Sequence, residues 1–177
     1  MSPPEIDLAP ELIEQVLGAV DQGFERQLAF TQQMMALDST RGKEHQAQAC
    51  FFEALESRGY EMDQWSIDIA EIESHPGFSP VKVDYDNAVN VVGTHTPVET
   101  KGRSLILNGH VDVVPTGPAD MWTRPPFEPW IEGDWLYGRG GADMKAGLCA
   151  NLAALDALKT LGWQPAARVH IQSVTEE

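Results

Sequence analysis

The sequence predicts an α/β fold, with a mainly parallel sheet flanked by helices. Segments of helical periodicity alternate along the chain with short segments of strand character, which is the pattern of such sheets. The chain has 177 residues, of which 42% are hydrophobic, enough for the core of one domain. No apolar run approaches the roughly 18 residues needed to cross a bilayer. In α/β sheets the functional groups lie beyond the carboxyl ends of the strands.

Three segments have the periodicity of helices, and Gly59 is placed to end the second of them as a left-handed cap. Residues 1–10 are rich in proline and are expected to be frayed. The predicted helices cover residues 11–36, 44–58 and 144–161.

Four segments have strand character. Polar and apolar residues alternate over 65–69, whereas 104–108 is a short apolar run that fits a buried strand. The other two predicted strands cover residues 88–94 and 168–174.

The segment between Pro115 and Gly141 contains five prolines and three tryptophans. A loop of this length is uncommon unless it serves a functional site. Part of it is expected to form a hairpin that turns at residues 132–134.

The charge balance excludes two classes of partner. Twelve Lys and Arg residues against 27 Asp and Glu residues leave a net charge of −15, which repels nucleic acid and anionic membranes. The two cysteines, Cys50 and Cys149, lie far apart in sequence and belong to no motif. Reduced thiols of this kind are typical of a cytoplasmic protein, which is our expectation here.

Three groups of acidic or histidine residues follow predicted strands or precede a predicted helix. His110 and Asp112 come after the strand at 104–108, and alternate residues of an extended chain face the same side. Asp143 precedes the third helix, and Glu176 and Glu177 follow the last strand. Taken singly, each has an ordinary alternative: a polar loop, an acidic residue at a helix N-terminus, or a solvated chain end.

Together these groups indicate a metal site. One histidine and four carboxylates would meet at one edge of the sheet, where like charges repel one another unless a cation lies between them. Histidine with carboxylates suits zinc, with cobalt or manganese as alternatives, and a carboxylate can bridge a pair of metals.

The string Gly109–Pro115 resembles a signature of the zinc aminoacylase and carboxypeptidase family, which includes acetylornithine deacetylase and succinyl-diaminopimelate desuccinylase. The resemblance covers residues 12–177 and is strongest from 104 onward. Further matches are Trp122 with Pro126-Phe127, Leu136–Gly140, Asp143–Gly147 and Glu176-Glu177.

The resemblance implies a role for each of the five site residues. His110 would bind one metal, Glu177 the other, and Asp143 would bridge both. Asp112 would orient the histidine, and Glu176 would be the general base. The implied cofactors are two divalent metals, and the implied reaction is hydrolysis of a linear amide, releasing the acyl group of an N-acyl amino acid or a short peptide-like substrate.

The family also has parts that this sequence lacks, namely further metal ligands downstream and a smaller dimerisation domain. We therefore expect residues 11–177 to be the N-terminal part of the catalytic domain of a homodimeric enzyme, and to be inactive alone. The alternative is a non-catalytic metal-binding or interaction protein on a truncated scaffold.

Overall fold

The computed structural model describes residues 8–80, 83 and 85–175, and three of its helices agree with the predicted ones. The frayed start expected for residues 1–10 lies mostly outside the described residues, and Pro10 already belongs to the first helix. The second helix ends through Gly59, whose φ of 83° is left-handed as predicted. None of the helices in the described ranges is both long and apolar enough to span a membrane. The helices are α1 (Pro10–Met35), α2 (His45–Glu56), the short α3 (Ile69–Ile72) and α4 (Ala146–Thr160).

The strand predicted around residues 65–69 begins and ends earlier in the chain than expected. Strand β1 covers Glu61–Ser66, and Ile69 begins α3 instead of continuing the strand. The carboxylate of Asp68 accepts a hydrogen bond from the Ala70 backbone N–H at 2.9 Å, so this residue caps α3. A local side-chain cap therefore outweighs the alternating pattern at this point.

Besides β1, the main sheet contains β2 (Val89–His95), β3 (Leu105–His110) and β6 (Val169–Val174). The order of these four strands in the sheet is β1-β2-β6-β3. Strand β3 runs parallel to β6, whereas the β1–β2 and β2–β6 pairs are antiparallel.

The α/β class is thus confirmed, but the expectation of a mainly parallel sheet is wrong for the described residues. A parallel connection needs a crossover of a dozen or more residues. The link from β2 to β3 is shorter than that, and these two strands run in opposite directions on either side of β6. Between β3 and β6 the chain has room for α4, and these two strands are parallel.

The hairpin predicted around residues 132–134 is present as two short strands, β4 (Trp130–Glu132) and β5 (Trp135–Tyr137). Gly133 occupies the turn with a φ of 59°. The rings of Trp130 and Tyr137 stack across the pair, with centroids 5.0 Å apart. The hairpin forms a separate two-stranded sheet beside the main one.

The core lies between one face of the main sheet and the helices. Val91 and Ile171 on this face belong to the same buried cluster as Phe51 of α2 and Leu148 of α4. Gly109 of β3 provides space for α4, because a β-carbon there would lie 2.8 Å from Leu148. The opposite face is more open, and Ile106 is 58% exposed there. The strand expected to be buried at 104–108 is therefore an edge strand with one exposed face.

Candidate metal centre

His110 stands at the carboxyl end of β3 between two carboxylates. Its Nδ1 lies 2.8 Å from Oδ1 of Asp112, and its Nε2 lies 3.1 Å from Oδ1 of Asp143. His110 is 7% exposed and Asp112 9% exposed, so their contact is shielded from water. The structure therefore brings together three residues that the sequence predicted, two of them 33 positions apart.

The Asp112 carboxylate determines which nitrogen of His110 carries the proton. A carboxylate can only accept, so the Nδ1–H donates to Asp112, and the Nε2 lone pair points towards Asp143. This arrangement, in which a carboxylate orients a histidine whose other nitrogen is a ligand, is common at metal sites.

The backbone around Asp112 is held on both sides. The Val111 N–H donates to the Val174 carbonyl at 3.1 Å, which continues the β3–β6 pairing. The Val113 N–H donates to the Ser39 carbonyl at 3.0 Å, and the Ser39 hydroxyl donates to the Val111 carbonyl at 2.6 Å. The loop after α1 thus fixes the segment that presents Asp112.

Asp143 lies in the turn Gly141–Lys145 that leads into α4, where its own backbone is extended (φ -131°, ψ 99°), and the peptide bond from Asp143 to Met144 is cis. The Asp143 side chain is 74% exposed, unlike that of its partner His110. Asp143 therefore presents its carboxylate both to the histidine and to the solvent-filled side of the site.

Lys145 anchors this turn to α1. Its Nζ donates to the Met34 carbonyl at 2.9 Å and to the Leu37 carbonyl at 2.7 Å, and the residue is fully buried. Burial lowers the pKa of the Lys145 ammonium to about 8, because a charged amine loses its hydration there.

The end of β6 is also held in place. The Thr175 backbone N–H donates to Oδ1 of Asn90 at 3.0 Å, and its hydroxyl donates to the Val89 carbonyl at 3.0 Å. Glu176 and Glu177, the predicted base and metal ligand, lie outside the described residues, so their roles remain predictions.

The donor atoms present fit a metal. His110 Nε2 and Asp143 Oδ1 are both acceptors when Nδ1 carries the single ring proton, and acceptors 3.1 Å apart need a cation or a second proton between them. Nitrogen and carboxylate oxygen are ligands that zinc accepts. Within the described ranges, no group of three or more His, Cys, Asp or Glu residues could hold a metal ion. The described part of the chain therefore supplies two ligands and one orienting carboxylate.

A cavity of about 190 Å³ opens beside these residues. It is lined by His110, Asp112 and Asp143, and also by Arg139. The sequence placed Arg139 within a family motif without giving it a role, and gave none to Lys145 or Ser39. No sequence signal pairs Ser39 with Val111 or Lys145 with α1, because both contacts join distant parts of the chain.

The sequence is similar to those of known hydrolases. Residues 106–177 match the model of peptidase family M20/M25/M40. The chain is 43% identical over 81 residues to succinyl-diaminopimelate desuccinylase from Dechloromonas aromatica. This match covers 46% of this chain and 21% of that protein. It is 32% identical over 170 residues to N-formyl-4-amino-5-aminomethyl-2-methylpyrimidine deformylase from Halalkalibacterium halodurans, covering 94% of this chain and 36% of that protein.

Solved structures share the fold. Human carnosine dipeptidase 1 superposes with a TM-score of 0.74 at 20% identity, over 93% of this chain and 34% of that one. The M20 family metallo-carboxypeptidase Sso-CP2 from Sulfolobus solfataricus gives a TM-score of 0.67 at 22% identity, over 85% of this chain and 31% of that one. The chain thus spans about a third or less of the length of these relatives.

Proposed function

We propose that this chain is a member of peptidase family M20/M25/M40, whose model matches residues 106–177, and that it forms the N-terminal part of the catalytic domain of a metal-dependent amidohydrolase. The observation that carries the proposal is His110, oriented by Asp112 at one ring nitrogen and facing Asp143 at the other. In this proposal residues 11–177 belong to the catalytic domain, and the remaining metal ligands and the dimerisation domain lie in sequence that this chain does not include.

In the proposed metal site, His110 would hold one metal, Glu177 would hold the other, and Asp143 would be a ligand of both. Zinc is the proposed metal, with cobalt or manganese as alternatives, since all three accept nitrogen and carboxylate ligands. When bound, a metal pair would lower the pKa of an attacking water and polarise the acyl carbonyl of the substrate.

The residues of the chain have distinct tasks in this scheme. Asp112 holds the Nδ1 proton of His110, which keeps the Nε2 lone pair directed towards the site. Glu176 accepts the proton of the attacking water and delivers it to the leaving amine nitrogen, so that the amide bond breaks with a neutral leaving group. Arg139 and the glycines around it form the wall of the cavity beside these groups.

The proposed substrate is a small N-acyl amino acid or a short peptide-like amide. The two relatives described above are named for removal of a succinyl and of a formyl group, both of them acyl groups. We further propose a cytoplasmic homodimer for the full-length enzyme; the two free thiols, Cys50 and Cys149, suit a reducing compartment.

The decisive experiment is an assay of the full-length enzyme that carries this segment, loaded with zinc. N-Succinyl-diaminopimelate, N-acetylornithine and an N-formyl amine are the test substrates, and hydrolysis of at least one is expected. His110→Ala should abolish both turnover and zinc binding at its site, whereas His45→Ala, at an exposed histidine, should leave both unchanged. Zinc binding without turnover of any substrate would favour the non-catalytic alternative.

The chain of residues 1–177 alone should not turn over N-acetylornithine with zinc or cobalt. Each metal would have only two ligands from this chain, where a catalytic zinc normally has three. Multiple turnovers by residues 1–177 would contradict the proposed division of ligands.

A further inference from the structure

We propose that Arg139 binds a carboxylate group of the substrate beside the metal ligands, and so selects N-acyl amino acids over neutral amides. The proposal rests on the proposed function, since it names a feature of the substrate that the same site would hydrolyse. Arg139 would act as a specificity-determining residue, separate from the residues that bind metal or move protons.

The position of Arg139 beside the candidate metal ligands supports this role. It lines the cavity of about 190 Å³ that also contains His110, Asp112 and Asp143. Among the described residues around this cavity, it is the only lysine or arginine. The cavity is too small for a large ligand, but a carboxylate with its neighbouring carbon atoms fits such a volume.

The guanidinium of Arg139 is held in place from two sides. It lies over the Trp122 ring, 5.1 Å from the ring centroid, and its Nη2 donates to the Pro115 carbonyl at 3.3 Å. The Trp122 indole N–H in turn donates to the Thr116 carbonyl at 2.7 Å. A guanidinium that is already oriented loses less conformational entropy when it binds a ligand.

Most of the hydrogen-bonding capacity of Arg139 is unused by the described residues. A guanidinium has five N–H donors, and one of them, on Nη2, meets a neutral carbonyl. The Nε is buried without a hydrogen-bond partner in the described part of the chain, and no described carboxylate forms an ion pair with Arg139. Arg58, in contrast, makes three hydrogen bonds to the Asp156 carboxylate at 2.8–2.9 Å.

That no described carboxylate pairs with Arg139 is informative because acidic residues are abundant. With 27 Asp and Glu residues in the chain, a carboxylate partner for a cation is easy to supply. An oriented fork of N–H donors without one is suited to a bidentate carboxylate of a ligand. Asp112 and Asp143 in the same cavity would repel a doubly charged phosphate more strongly than a singly charged carboxylate.

The test compares two small probes that differ in one group, N-acetylglycine and the neutral N-acetylglycinamide. Each is titrated into the ¹⁵N-labelled 177-residue chain with zinc and without it, while the indole N–H signals of the five tryptophans are recorded. We expect N-acetylglycine to shift the Trp122 signal saturably and to bind roughly tenfold more tightly than the amide, as a charged bidentate contact implies. Trp122→Phe identifies the signal.

Arg139→Gln should remove the preference for the acid, and Arg124→Gln should preserve it. Arg124 is a matched control because it also lies over a tryptophan, 5.2 Å from the Trp130 centroid, but does not line this cavity. If Arg139→Gln fails to fold, Arg139→Lys keeps the charge but not the fork, and should weaken N-acetylglycine binding several-fold without affecting the amide.

The proposal would be overturned if the Arg139 variants preferred N-acetylglycine over the amide as strongly as the wild type does. It would also be overturned if N-acetylglycine caused no saturable shift of the Trp122 signal in the wild-type chain. Failure of the proposed function gives a different result. In that case zinc leaves the imidazole signals of His110 unchanged, while N-acetylglycine still binds in an Arg139-dependent way.

Discussion

Gly140 lies against Val113 with no space for a β-carbon, because a Cβ at residue 140 would overlap Val113 Cγ1. Gly140 also has a φ of 76°, a conformation that other L-residues rarely adopt. Val113 directly follows Asp112, and Gly140 precedes Asp143 by three positions. This contact therefore joins the two loops that carry the candidate metal centre.

Gly140→Ala is expected to destabilise the fold by roughly 2–5 kcal/mol, the sum of about 1–2 kcal/mol of backbone strain and about 1–3 kcal/mol of overpacking against Val113. Gly117→Ala is the matched control, since Gly117 has a φ of 72° but open space around its Cα. It should cost only the backbone strain, about 1–2 kcal/mol. Urea denaturation of both variants measures the difference, and equal losses would show that the Val113 contact is unimportant.

Lys145 predicts a pH dependence of stability. Its pKa is about 8 in the fold and 10.5 in the unfolded chain, so between these values the unfolded chain holds a proton that the folded one has released. The contribution of Lys145 to the unfolding free energy should therefore rise with pH above 8, by up to about 1.4 kcal/mol per unit.

The contribution of Lys145 is isolated by measuring the unfolding free energy of Lys145→Met and of the wild type between pH 8 and 9. Both proteins contain the same two thiols, Cys50 and Cys149, so any effect of the thiols is common to the two measurements. The rise should vanish in the variant. Lys159→Met, which removes an exposed lysine that donates to the Arg58 carbonyl at 3.0 Å, should retain it. An unchanged slope in Lys145→Met would refute the assignment.

Asp112→Asn should weaken metal binding without removing a metal ligand. The amide can donate to Nδ1, which favours the wrong tautomer of His110, and loss of such an orienting group typically costs about 10- to 100-fold in metal affinity. Asp143→Asn, which changes a proposed ligand, should reduce metal affinity further. Asp134→Asn, on the exposed hairpin turn, should leave metal affinity unchanged. Cobalt titration followed by visible absorption measures all three, and normal affinity in Asp112→Asn would argue against its orienting role.

Glu176→Gln separates proton transfer from metal binding. In the full-length enzyme this variant should retain most of its metal, because Glu176 is proposed as the base and not as a ligand, while turnover should be lost. Metal content by atomic absorption and hydrolysis of the preferred substrate are the two measurements. Near-normal turnover would exclude Glu176 as the general base.

The local features of this protein could be predicted from its sequence. Helical periodicity located α1 and α2 within one or two residues, and turn residues located the hairpin at Gly133. The positions of His110, Asp112 and Asp143, after a strand and before a helix, predicted that these side chains meet, and they do, whereas their metal-binding and catalytic roles stay predictions. These predictions succeed because periodicity, turns and motifs depend on residues that are close in sequence.

Strand direction and the supports of the site were decided only by the tertiary structure. The antiparallel β2–β6 pair and the Lys145 contact with the end of α1 join residues about 80 to 110 positions apart. The Arg139 guanidinium has its orientation from Trp122 and Pro115, on a loop that sequence patterns leave irregular. Such contacts leave no periodic trace in the sequence, because they depend on which surfaces remain to be buried once the helices and strands have packed.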